Sequence, residues 1–163
     1  MSDMPSGESV QRAREITDRH RRRVYELIRA FSDELISRGL AHDMSKYEPE
    51  ELIPLARMQD LIDREGHAQY GTAEYKRRTD LLGDMTAHHY AANSHHPEHY
   101  ENGISGMDLL DLVEMFLDWK AASERGGDSV LRLIPARDKY QISPQLSHIL
   151  RNTADRLGFA TDS

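Results

Sequence analysis

The sequence predicts an all-α fold, a compact bundle of about five to seven helices forming one domain. Three observations carry this. Apolar residues recur at the three- and four-residue spacing of a helix face along most of the chain. Alternation of β-branched and aromatic residues with polar ones, the mark of a strand, is almost absent. The 10 Gly and 6 Pro sit mostly at the ends of periodic segments rather than inside them.

The first helix is expected from Ser9 to Arg38, with Gly39 as its C-terminal stop. Its apolar stripe is Val10, Ala13, Ile16, Val24, Leu27, Phe31 and Leu35. A short segment, 40–46, follows. Pro49 fits the first turn of a second helix reaching about Arg64, and Pro54 is expected to kink or split it. Residues 66–71 read as a loop. Thr72 is placed to cap a third helix running on to about Asn93–His96, because Pro97 turns the residue before it away from helical angles. Residues 100–106 read as loop. Ser105 and Asp108 suggest a capping pair for a fourth helix, Met107 to about Glu124, closed by Gly126-Gly127. Ser143-Pro144 opens the last helix, which runs to about Leu157 and stops at Gly158. Residues 1–8 and 159–163 are expected to be loose.

Composition narrows the function. A chain of 163 residues can bury about two-thirds of its unfolded surface in one core. The absence of Cys excludes disulfides, Cys-ligated zinc and iron–sulfur clusters. No apolar run approaches the roughly 20 residues needed to span a bilayer. Residues 1–8 lack the apolar core of a signal peptide, so the expected compartment is the cytoplasm. With 28 acidic against 21 basic residues the net charge is −7, which argues against a general nucleic-acid coat. The amphipathic faces leave room for a homodimer without specifying one. The unusual number is the nine His, five of them between His88 and His99.

Four signals stand out. His20 lies four residues after Ile16 and four before Val24, inside the apolar stripe of the first helix. Taken alone it reads as a core histidine bonded to a backbone carbonyl. His42-Asp43 pairs an imidazole with a carboxylate, a set that suits transition metals. Neighbours on a regular helix lie about 100° apart, so both can serve one ion only in a short segment or at a helix end. Lys46, three residues on, brings an ammonium that could hold a phosphate or carboxylate, or simply pair with Asp43 at the surface. The third signal is His88-His89, Asn93 and His95-His96-Pro97-Glu98-His99, whose composition favours metal binding over a solvated patch. Spacing does not decide which of His95 and His96 faces a site. Last, Asp111, Glu114 and Asp118 share one face of an otherwise apolar helix. That face is either its wet side or the wall of a metal cleft.

In chain order these residues read His20, His42-Asp43, His89, His95-His96, Asp118, and this series resembles the HD-domain superfamily of helical metal-dependent phosphohydrolases. The segment His42-Asp43-Met44-Ser45-Lys46 is similar to the H-D-x-x-K form of its motif. The pieces HDMSKYEPEE, HYAANSHHPEHY and MDLLDLVEMFLDWKAA also resemble a family of small phage and bacterial proteins of uncharacterised activity, over roughly residues 15 to 155. The resemblance implies an HD-like bundle. It implies His20 as a first-helix ligand, with His42 and Asp43 on a first metal and Asp43 bridging to a second. It implies His89 with His95 or His96 at that second position, and Asp118 as the closing carboxylate. Lys46 would touch substrate or metal-bound water.

The chemistry expected of such a set is hydrolysis of a phosphate ester. One or two divalent transition ions (Mn, Fe, Zn, Ni or Co) would activate water and polarise the phosphoryl group. The partner would be a small phosphorylated substrate, with a nucleotide as one option; no Gly-rich phosphate loop, base-reading motif or membrane segment is present. Lys46 and Glu114 are the catalytic candidates, Glu114 as proton carrier or as a partner of a ligand. Glu98 and His99, in the loop after the cluster, are candidates to meet substrate alongside Lys46. Two other classes fit the same residues: an HD-fold di-iron oxygenase, and a non-catalytic helical interaction protein stabilised by metal.

Overall fold

The computed structural model describes residues 4–69, 71–125 and 129–162. These form seven α-helices and three short 3-10 turns, with no strand beyond one isolated bridge between Leu131 and Thr161. The chain divides into two compact units, Met1–Leu40 and Ala41–Ser163.

The first unit is essentially one helix, α1, Gly7–Ala41. Ser6 opens it, its Oγ accepting the Ser9 amide at 3.2 Å. The helix runs through Gly39, where a stop was expected. The reversal comes at Asp43, which adopts the left-handed conformation at φ 57°. No residue of α1 is buried, and the stripe is largely exposed, Ile16 at 59% and Phe31 at 40%. His20 is exposed as well, so within its unit it is not the core histidine its spacing predicts. Periodicity identifies the apolar face, but a lone helix has nothing of its own to bury that face against.

In the second unit a 3-10 turn, Met44–Tyr47, leads into α2, Pro49–Glu65. Pro49 takes the first turn as expected, and the helix passes Pro54 without splitting. The expected third helix is two: α3, Ala73–Asp80, and α4, Met85–Ala92. Thr72 caps α3, its Oγ1 accepting the Tyr75 amide at 3.1 Å. The break falls at Gly83, whose φ of 54° no helix interior contains. At the end of α4, Asn93 turns extended and its side chain donates to the His89 carbonyl at 2.8 Å. Helix α5, Leu109–Arg125, is capped by Asp108 rather than by the Ser105–Asp108 pair expected. Asp108 Oδ1 accepts the amides of Leu110 and Asp111 at 2.8 and 2.9 Å. The Gly126-Gly127 stop lies outside the described residues.

Helix α6, Leu133–Tyr140, has no counterpart among the expected elements. Its first amides are capped from the far end of the chain: Asp162 Oδ1 accepts Leu133 N at 2.8 Å and Ile134 N at 3.2 Å. Of the C-terminal residues expected to be loose, 159–162 are therefore tied down through Asp162, with Ala160 O also accepting Leu131 N at 2.8 Å, while residues 1–3 and 163 lie outside the described residues. Helix α7, Pro144–Leu157, begins at the expected Ser143 cap and ends at Gly158 in the left-handed region. Phe116 of α5, Leu131, Leu133, Ile142, and Leu150 and Ala154 of α7 form the apolar core. No described helix is long and apolar enough to cross a membrane.

Candidate metal centre

The left-handed turn at Asp43 resolves the geometric problem of the adjacent His and Asp. Continuing α1 would point the two side chains about 100° apart. Reversing the backbone at Asp43 turns both toward one cluster, and Asp is among the few residues that tolerate this conformation. Lys46 Nζ donates to Asp43 Oδ2 at 2.5 Å across the following turn. Ser45 between them is buried, its Oγ accepting from Asn93 Nδ2 at 2.8 Å, which ties the turn to the end of α4.

Six residues then converge as two groups. His42, His95 and Asp118 offer ligand atoms that all lie within 4.8 Å of one another, and so do Asp43, His89 and His96. Asp43 joins the groups. Its Oδ1 lies 3.5 Å from the Nε2 atoms of both His89 and His95, and its Oδ2 lies 3.4 Å from His42 Nε2. His95 and His96, which spacing left open, both face the cluster, one in each group. Among the described residues, Asp43 Oδ1 and His95 Nε2 are buried with no hydrogen-bond partner. Two buried polar atoms left bare, 3.5 Å apart, are costly unless a third body lies between them.

Behind the histidines stand two carboxylates. Glu114 Oε1 accepts from His42 Nδ1 at 2.9 Å and lies 3.1 Å from His95 Nδ1. Glu51, fully buried on α2, accepts from His89 Nδ1 through Oε2 and from His88 Nδ1 through Oε1, both at 2.9 Å. An ionised carboxylate only accepts, so each Nδ1 facing it carries the hydrogen, and the Nε2 of His42, His89 and His95 is turned inward. This is the arrangement by which outer carboxylates fix metal-binding imidazoles. His96 Nε2 completes the inner set, 2.9 Å from His89 Nε2.

The electrostatics agree. The hydrogen bond with Asp118 lifts His42 most; burial opposes it, Glu114 and Asp43 add to it, and the imidazole is pushed up to about 9. Without a metal, His42 is thus an imidazolium among carboxylates. Burial raises the Asp43 carboxyl, but His95, Lys46 and His42 outweigh that and hold it well below the usual range. Asp118 is likewise lifted by burial and lowered overall by His42. Burial, with His95 and His89 beside it, pushes His96 down to about 4, leaving a neutral imidazole at neutral pH.

The face of Asp111, Glu114 and Asp118 is not the wet side of α5. Asp111 is buried and accepts from Ser94 Oγ at 2.7 Å and Tyr100 OH at 2.6 Å, fastening the segment that carries His95 and His96. Glu98 and His99, expected to meet substrate, are engaged elsewhere on the surface. Glu98 Oε1 accepts from Lys139 Nζ at 3.1 Å and Tyr140 OH at 3.2 Å, while His99 Nδ1 donates to the Tyr90 carbonyl at 2.8 Å. The two ligand groups contain residues of the second unit only, and His20 is in neither. A third group, Glu48, Glu50 and His88, gathers at the surface, where acidic residues cluster readily without an ion. Glu51 was missed: within Glu48, Glu50 and Glu51 nothing local marks which glutamate is buried.

One family model matches, over residues 9–156: a family of unknown function, DUF5662. The chain belongs to the DUF5662 family. The matched span opens in α1 and closes in α7, so the DUF5662 region holds all six converging residues and both supporting glutamates. No curated protein and no solved structure matches the chain.

Proposed function

We propose that this DUF5662 chain is a metal-dependent phosphohydrolase of the HD type, acting on a small phosphate ester. The observation that supports it most is the pair of ligand groups sharing Asp43, with buried Asp43 Oδ1 and His95 Nε2 bare between them. His42, His95 and Asp118 would hold one divalent transition ion, and His89 and His96 a second, with Asp43 common to both. Imidazole and carboxylate donors without thiolate fit Mn, Fe, Co, Ni or Zn. Such ions, when bound, supply activated water and polarise a phosphoryl oxygen.

The chain's own residues supply the rest. Four carboxylates, Asp43, Glu51, Glu114 and Asp118, stand against the single ammonium of Lys46 in this cluster. Two divalent ions would reverse that balance and make the site attractive to an anionic ester. Lys46 is partly exposed, at 35%, so its Nζ can leave Asp43 Oδ2 for a phosphate oxygen. Glu114 keeps the Nδ1 hydrogen of His42 in place and lies 3.1 Å from His95 Nδ1, a supporting rather than proton-carrying role.

Elemental analysis of untagged protein tests this, comparing wild type with Asp43→Ala. About one or two equivalents of a transition metal, lost in the variant, with hydrolysis of a generic phosphate ester by the loaded wild type, is the expected result. No retained metal after reloading with Mn, Fe, Co, Ni and Zn would overturn it. Iron with O₂-dependent turnover and no hydrolysis would favour the oxygenase alternative.

A further inference from the structure

We propose that Glu51 is the positioning residue of the second metal position: it holds His89 with Nε2 free to bind, and His88 braces Glu51 from the outer side. This rests on the metal-centre reading above and adds a division of labour within it. Glu114 supports the histidines of the first group, while Glu51 supports only His89 of the second.

Burial is the first argument. Glu51 is 0% exposed, and among the described residues no Lys or Arg pairs with it. A carboxylate taken out of water without a cation is expensive and is kept only where donors hold both oxygens. Here the Nδ1 atoms of consecutive histidines lie 2.9 Å away, one on each oxygen, and the Ser45 hydroxyl adds a third hydrogen bond. Consecutive positions on α4 diverge by about 100°, so one glutamate reaching both must lie across the helix between them. Position 51 on α2 provides that, and α2 packs against α4 and the Met44–Tyr47 turn.

The tautomer of His89 is the second argument. Its Nδ1 also lies 3.2 Å from Asn93 Nδ2, which could in principle donate to it and leave the hydrogen on Nε2. The Asn93 amide has two hydrogens, and better partners take both: Ser45 Oγ and the His89 carbonyl, each at 2.8 Å. Glu51 is then the group that decides the tautomer, and it decides for hydrogen on Nδ1. Nε2, left without a hydrogen, accepts from His96 Nε2 and faces Asp43 Oδ1, which is the second group itself. His88 is not in that group. It is 34% exposed, with Nε2 3.5 Å from Glu48 Oε2, and its contribution inward is the hydrogen on Glu51 Oε1.

Titration of metal-free protein with Co²⁺, followed by its visible absorption bands, tests the assignment. Wild type should bind in two phases. Glu51→Gln should keep the first phase and weaken the second by about 10- to 100-fold, the usual cost of losing an outer partner of a ligand. His88→Ala, which removes a half-exposed side chain and keeps the fold testable if Glu51→Gln fails, should weaken the same phase by less. Melting of each metal-free variant separates a lost fold from a lost site. Two wild-type phases that both persist unchanged in the variants, or weaken equally, overturn the assignment and leave the metal centre standing. No Co²⁺ uptake by wild type overturns the metal centre, and the assignment with it.

Discussion

At the scale of single residues, Asp43 and Lys46 carry different parts of the proposed chemistry, and substitution separates them. Asp43 contributes an oxygen toward each ligand group, so Asp43→Asn should remove both metals while the fold persists. Lys46 is in neither group; its ammonium donates to Asp43 Oδ2, the oxygen turned toward His42, and offers no ligand atom of its own. Lys46→Ala should therefore retain metal and lose phosphate-ester turnover by about 10²- to 10³-fold, the size typical of one preorganised charge at the transition state. Metal content and kcat measured on the same preparation decide it. Loss of metal from Lys46→Ala would instead make Lys46 a support of Asp43.

At the scale of elements, the site depends on a segment between helices. Residues 93–108 carry His95 and His96, and they are fastened to α5 through buried Asp111, which accepts from Ser94 and Tyr100. Tyr100→Phe removes one hydrogen bond to this buried carboxylate, which costs about 1–3 kcal/mol for a bond to a charged group. Gly106 admits no side chain, because a Cβ there would collide with Asn102 Oδ1 and the Tyr100 ring. Gly106→Ala should destabilise by about 1–3 kcal/mol through the same segment. Both variants should lose metal affinity along with melting temperature, unlike a core change such as Phe116→Ala on the apolar side of α5. The sequence made part of this legible. Clustered His and the His42-Asp43 pair are visible as composition, and Pro49, Thr72, Ser143 and Gly158 mark helix ends locally. What it concealed was non-local. Helix α6 owes its start to Asp162, almost 30 residues on, and Glu51 is distinguished from its neighbours by the two histidines and the Ser45 hydroxyl folded onto it.

At the scale of the whole molecule, protons and metal compete for the same charge deficit, and this gives a pH signature. His42 faces Asp118, Glu114 and Asp43, with His95 alongside, and its imidazole is pushed from 6.5 up to about 9 in the metal-free fold. A raised folded value means that protonated His42 stabilises the metal-free protein. That contribution is complete below about 6.5, and it is lost as pH rises through about 9. Metal binding needs His42 neutral, so loading must expel this proton, and apparent affinity should rise with pH over the same window. Each proton released changes affinity by about tenfold per pH unit, or about 1.4 kcal/mol. The two slopes have opposite sign. In chelator, the melting temperature should drift down between pH 6.5 and 9 as far as this group governs it. The added stability on loading at fixed subsaturating metal should grow across that range. Thermal scans in parallel, with and without metal, read both slopes from one protein. A loading increment that stays flat from pH 6.5 to 9 would mean that His42 gives up no proton to the ion and is not one of its ligands.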